Sequence, residues 1–145
     1  MANVVLLDAG PLGMISHPRP SHEIAAWLAT LISSGVEVVV PEVADYEVRR
    51  ELLRAGRSKG VKRLDQLKTR LTYLPITTDA MLKAAEFWAA ARRRGRPTAH
   101  NQALDADVIL AGQAATYAAQ DVVVASANPR HLSRFVASQR WEDIH

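Results

Sequence analysis

The sequence predicts a three-layer α/β/α domain with a mainly parallel central sheet, and three observations carry that prediction. Short β-branched runs alternate with helical stretches in the order βα, βαα, βα, α, β. The first of them, Val4-Val5-Leu6-Leu7, is continuously apolar rather than alternating, as expected of a strand covered on both faces. The chain has 145 residues, the length of one domain, which buries about 68–70% of its unfolded surface without staples.

Each element has a local reason. Val4-Val5-Leu6-Leu7 is a buried strand that ends at Asp8, with Gly10-Pro11 after it as a turn. Ser21 caps a helix through Ser33, whose Ile24, Trp27, Leu28, Leu31 and Ile32 recur at helical spacing. Gly35 ends that helix, and residues 37–40 form a second strand that stops at Pro41. Pro41 stands in the first turn of the next helix, which carries Val43, Tyr46, Val48, Leu52 and Leu53 to a break near Gly56. Leu64, Leu67 and Leu71 mark another helix, and Leu74-Pro75-Ile76 a brief strand. Thr78 or Asp79 then caps a helix that ends in an arginine run before Gly95. Residues 95–103 read as a loop, and Asp105 opens a helix of small residues through Ala119. Residues 121–125 form the last strand, and residues 126–129 the turn beyond it.

Composition excludes several chemistries. The chain has no cysteine, so disulfides, thiolate metal sites and cysteine nucleophiles are absent. This fits a reducing cytoplasm. The longest apolar runs are too short to span a bilayer, and no basic stretch precedes Asp8 as a signal peptide would require. A membrane role is not expected.

The net charge of +3 conceals an uneven distribution. Residues 49–70 hold nine Lys/Arg against Glu51 and Asp65, and Arg92, Arg93, Arg94 and Arg96 follow without an acid among them. The remainder of the chain carries a net −8. A basic stripe beside a separate carboxylate site is the pattern of a protein that meets a polyanion. The eight aromatics do not interleave with the stripe, which argues against a base-stacking platform.

In open parallel sheets, function gathers outside the carboxyl ends of the strands. That rule selects Asp8 after the first strand and Ser126 and Asn128 after the last. Asp105 and Asp107 stand at a helix start, and Glu47 lies about two turns into the helix after Pro41. Taken singly, each also has a plain structural role as cap, turn former or helix-surface charge. Taken together, converging carboxylates repel by roughly 4 kcal/mol per pair at ~4 Å and an effective dielectric of ~20. A cation relieves that repulsion, and oxygen ligands without cysteine favour Mg²⁺ or Mn²⁺. An acidic Mg²⁺ site beside basic helices suits phosphodiester hydrolysis.

Four zones in order carry a family resemblance: Val4-Val5-Leu6-Leu7-Asp8; Val40-Pro41-Glu42-Val43-Ala44-Asp45-Tyr46-Glu47; Asp105-Ala106-Asp107-Val108-Ile109-Leu110-Ala111-Gly112-Gln113-Ala114; and Ala125-Ser126-Ala127-Asn128-Pro129-Arg130-His131-Leu132. Across essentially its whole length the chain resembles a PIN domain, and among these the VapC-type ribonuclease toxins of toxin–antitoxin pairs. The resemblance implies a single PIN domain over residues 1–145 and a metal-dependent endoribonuclease using a metal-activated water. It places Asp8, Glu47 and Asp107 as catalytic metal ligands. Asp105 is either an additional ligand for a second metal or only a helix cap. Ser126 would orient ligands or water, and Asn128 replaces the usual fourth carboxylate. Ala9-Gly10 stands where Thr-Asn or Ser-Ser is common. The resemblance further implies an RNA substrate, a small antitoxin partner and a homodimer. Arg49, Arg50, Arg92, Arg93, Arg94 and Arg96 are the candidate RNA contacts.

Rival readings fit less well. A haloacid-dehalogenase-type phosphatase needs a second acid two residues after Asp8, where Gly10 stands. A receiver domain needs an early acidic pair and a late lysine. The five histidines show no convergent zinc spacing, and Ser126 has no His–Asp relay. The alternative kept in view is a PIN-like RNA-binding or regulatory protein in which the Asn128 variant has lost catalysis.

Overall fold

The computed structural model describes residues 2–94 and 101–145, without side-chain detail at residues 101–103. Among the described residues, five strands form one sheet in the order β3-β2-β1-β4-β5, with all neighbours parallel. They are β1 (Val4–Leu7), β2 (Glu37–Pro41), β3 (Thr72–Leu74), β4 (Val122–Ser126) and β5 (Ser138–Arg140). The helices are α1 (Ala9–Ser16), α2 (His22–Ser33), α3 (Glu42–Arg54), α4 (Ser58–Arg70), α5 (Thr78–Arg93) and α6 (Asn101–Ala115).

The pleat of the central strands sorts their side chains into two cores. Val5, Leu7, Val38 and Val40 join Leu12, Ile24, Leu31, Val48 and Leu64 on the side of α1 to α4. Val4, Leu6, Val39 and Val124 join Leu110, Ala114 and Leu132 on the side of α6. Leu6, Leu7, Val5 and Val39 are fully buried, and each such burial contributes about 1.5–3 kcal/mol. The chain end is tied to the first core by Trp27, whose Nε1 donates to the Ile144 carbonyl at 2.9 Å and whose ring meets Trp141 edge-on.

Several boundaries differ from the sequence expectation. Gly10-Pro11 is no turn but the first turn of α1, where a proline's missing N–H has no intrahelical partner to lose. Pro41 is the last residue of β2 and the N-cap of α3 rather than a first-turn residue. The third strand lies at Thr72–Leu74, two residues earlier than read, and Thr77 rather than Thr78 or Asp79 caps α5. Gly35 and Gly56 end α2 and α3 as expected, with φ of +81° and +67°. The α6 helix begins at Asn101, so Asp105 is an interior residue and not its opening cap, and the helix ends at Ala115 rather than Ala119. The loop expected over 95–103 falls partly outside the described residues. The edge strand β5 is polar and short, with no hydrophobic signal to reveal it.

Candidate active site

The sheet order places β1 between β2 and β4, so the crossovers leave β1 in opposite directions. Parallel sheets open a crevice at such a reversal. Asp8 follows β1 directly at that edge. The register pairs Leu7 with Ala125, which brings Asp8 beside Ser126. Ser126 Oγ donates to Asp8 Oδ2 at 2.8 Å, the Ala9 amide donates to Oδ1 at 2.7 Å, and the Asp8 amide donates to the Ala125 carbonyl at 2.9 Å. Each carboxylate oxygen keeps a further lone pair. Ser126 is itself buried and accepts from the Asn128 amide at 3.1 Å.

Gly10 explains the departure at Ala9-Gly10. A Cβ there would come within 2.9 Å of the Ala127 Cβ, so only glycine lets α1 lie this close to the loop after β4. That contact holds the helix start carrying Asp8 against the strand end carrying Ser126.

Glu47 and Asp107 reach the same crevice from α3 and α6, and electrostatics records their convergence. Burial pushes Glu47 up to about 7, with the charges of Asp8 and Asp107 raising it further and Arg50 opposing. Burial and the Asp8 charge push Asp107 up to about 6, with Arg134 opposing. Asp8 is also raised, chiefly by burial, against its two hydrogen bonds. Three acids that resist ionisation in one crevice form a site short of positive charge. Among the described residues no three His, Cys, Asp or Glu side chains form a ready-made cage for a metal ion. The oxygen-only donor set and its mutual repulsion nevertheless fit a hard divalent cation.

The other candidates fall in different places. Asp105 is exposed, two residues from Asp107 and therefore on another helix face. There it borders an apolar groove with Met81, Ala84, Trp88 and Val108. It does not join the three acids. The Asn128 side chain is exposed, and its Oδ1 accepts from the Arg130 amide at 3.4 Å, so this residue supports Ser126 through its backbone. Arg49 is committed elsewhere, to Asp45 at 3.0 Å and Asp65 at 2.7 Å. Arg50 lies 5.1 Å over the Tyr46 ring and acts on Glu47. Arg92 lies 5.1 Å over Trp88, while Arg93 and Arg94 are exposed at the end of α5. Arg96 lies outside the described residues.

Two contributors escape a sequence reading. Arg134, in the short 3₁₀ turn Leu132–Arg134, is the cation that moderates Asp107, and its Nη2 is buried without a hydrogen-bond partner among the described residues. Gln113 is buried in α6, accepts from the Val43 amide at 3.4 Å and donates to the Leu74 carbonyl at 2.9 Å. It thereby joins the helix bearing Asp107 to the start of the helix bearing Glu47. Neither residue has a spacing signal, because both act across the fold.

Comparison with known proteins places the fold. The family model described as PIN domain matches residues 5–135. The structure of FitAcB from Neisseria gonorrhoeae is similar, with a TM-score of 0.73 at 22% identity over 97% of this chain and 99% of that one. VapBC2 from Rickettsia felis, bound to a DNA fragment from its promoter, has a TM-score of 0.72 at 12% identity, covering 95% and 98%. VapBC-1 from nontypeable Haemophilus influenzae has 0.70 at 17% identity, covering 95% and 98%. No curated protein sequence matches the chain.

Proposed function

The chain belongs to the PIN domain family, and on that premise we propose that it is a Mg²⁺- or Mn²⁺-dependent endoribonuclease serving as the toxin of a toxin–antitoxin pair. The observation that supports this reading is that Asp8 follows β1 at the sheet's functional edge, beside Ser126, while Glu47 on α3 and Asp107 on α6 both feel its charge. These three would hold the cation, which when bound activates water and neutralises phosphate charge. Ser126 and the Ala9 amide orient the Asp8 carboxylate. Glu47, poised near neutrality without metal, gives up its proton as the site fills. Arg50 and the arginines ending α5 offer charge to the RNA backbone, whereas Arg49 is spent on structure.

The partner assignments are part of the same proposal: an RNA substrate, a small antitoxin occupying the acidic crevice, a homodimer and a cytoplasmic setting. Exposed Met81, Leu82 and Trp88 on α5 are large apolar side chains that a second copy could cover. No helix among the described residues is long and apolar enough to cross a membrane. A second reading, RNA binding without cleavage, draws on Asn128, whose side chain engages its own loop. Expression tests the toxin reading. Growth should arrest on induction and recover with Asp8→Asn at equal protein level, whereas arrest that persists in this variant would contradict it.

Metal dependence has a pH signature. The folded, metal-free protein holds protons on Glu47 and Asp107 up to about 7 and 6, above their ordinary values of 4.5 and 3.8. The fold therefore binds more protons than the unfolded chain across that window, and the metal-free protein loses stability as pH rises through it. Cation binding has the opposite trend, since it needs both groups ionised. At about 100 times Kd, Mn²⁺ should raise Tm by roughly 5–10 °C at pH 8 and leave it nearly unchanged at pH 5. Scanning calorimetry with and without the ion checks this, and an equal gain at both pH values would contradict it.

A further inference from the structure

A groove leads away from the acidic site along α1. Its first part, about 520 Å³, opens at Ala9 and Gly10, has Gly13 in its lining and is walled by Glu47, Glu51 and Arg54 of α3. Its second part, about 400 Å³, shares Gly13, Leu52 and Arg57 with the first and ends at His17, Arg19 and Lys59. The two parts therefore adjoin, and together they make a channel along α1.

Charge changes sign along it. Glu47 stands at the site end, and Glu51 farther along is neutralised by Arg54 at 2.7 Å. No carboxylate lines the far part, and among the described residues Arg19, Arg57 and Lys59 make no ion pair. The first turn of α4 faces this end, and its N-cap Arg57 supplies no capping side-chain hydrogen bond, so amide dipoles add to the three cations. Neither lining contains a Phe, Tyr or Trp side chain, and His17 at the far end is the one ring. The channel offers charge for a polyanion and no extended platform for stacked bases.

We infer that this channel is the track of the RNA strand on one side of the scissile phosphate, with Arg57, Lys59 and Arg19 holding the backbone phosphates. The inference rests on the ribonuclease reading and adds to it a direction and residues that the basic stripe alone did not single out. The eight residues of α1 span about 12 Å, or three to four nucleotides at the ~3.4 Å rise of a stacked strand. Contacts of this kind position a strand without reading its sequence. An acidic protein segment would also suit the basic end, but the channel's continuity with the proposed hydrolytic site favours the strand that this site cleaves.

Gly13 supplies a test that spares the fold. A Cβ there would meet only Val48 Cγ2, at 3.9 Å, so a larger side chain enters the channel rather than the core. A fluorescein-labelled single-stranded RNA 12-mer of about mixed composition serves as the probe. Its binding is followed by anisotropy in an Asp107→Asn background, and its cleavage in otherwise unsubstituted protein. Arg57→Ala with Lys59→Ala should weaken binding roughly tenfold and lower the slope of log K against log salt by about 1.4. Gly13→Leu should weaken binding similarly with thermal stability retained. In cleavage, both changes should raise KM and leave kcat nearly unchanged. Unsubstituted protein that cleaves RNA, with both variants binding and cleaving like it, would overturn the track and leave the ribonuclease reading intact. Variants that keep RNA affinity but lose binding to a polyglutamate peptide would overturn it in favour of a protein partner. Unsubstituted protein that neither binds nor cleaves RNA would overturn the ribonuclease reading and the track together.

Discussion

Asp107→Asn should reduce RNA cleavage by a factor of about 10³ or more, while making the metal-free protein more stable. Both effects follow from one charge. Asp107 is pushed up to about 6 because its carboxylate is half-buried beside Asp8. Above that pH the folded protein bears an uncompensated anion, moderated only in part by Arg134. The amide keeps the shape and removes the charge. Relief of desolvation and repulsion should stabilise the metal-free fold by about 1–2 kcal/mol at pH 8, once solvent screening of this partly exposed group is allowed for. The same loss of charge removes a ligand from the proposed cation site, so the stability gained from Mn²⁺ should shrink as well. Urea unfolding with and without the ion separates the two terms. A variant that is less stable without metal, yet still gains the full increment from Mn²⁺, would show that Asp107 serves packing rather than charge.

The largest stability effect is expected at Gly112. Here α6 approaches α5 so closely that a Cβ would run into the Ala80 carbonyl oxygen and crowd the Ala84 amide. Both are backbone atoms and cannot rotate aside. Replacing glycine inside a helix ordinarily gains up to about 1 kcal/mol. Overpacking against a fixed backbone costs roughly 1–3 kcal/mol for the first added carbons, and a branched side chain adds to that. Gly112→Val should therefore lose about 3 kcal/mol net, read as a lower urea midpoint with unchanged slope. Because α6 also carries Asp107 and the Gln113 bridge to α3, displacing the helix should lower cleavage as well. Stability equal to that of the unsubstituted protein would mean that the two helices can separate without consequence.

The parts of the fold that were legible in the sequence share a physical trait: their signal is local. The β1 strand is an uninterrupted apolar run and β2 is three buried valines after Glu37, while α2 has a serine cap, a helical period and a terminating glycine within one segment. Asp8 could be selected because the end of a buried strand in a parallel sheet faces the functional edge. Gly10-Pro11 misled because the same two residues serve a turn or the first turn of a helix, and packing against Ala127 decides between them. The polar β5 strand is held by its pairing with β4 rather than by hydrophobic content. Asp105 resembled a cap because aspartate prefers that position, yet the helix starts four residues earlier.

Part of the candidate site's layout was legible as well. Asp8, Glu47 and Asp107 could be read as converging, since each precedes or lies on a helix leading from the functional edge. Arg49 could not be separated from the free cations by charge counting, because its partners Asp45 and Asp65 lie on two helices. Arg134 is farther still, in a turn beyond the last apolar strand, and only folding places its charge near Asp107.

A single labelled RNA distinguishes a metal-dependent RNA-cleaving crevice from any other use of these acids. Unsubstituted protein is assayed with Mn²⁺, with EDTA, and with EDTA followed by excess Mn²⁺, beside Asp107→Asn with Mn²⁺. Cleavage is expected in the first and third reactions only, with the variant folded and still binding the RNA. Equal cleavage in EDTA, or an Asp107→Asn protein as active as the parent, would contradict metal-dependent cleavage at this crevice.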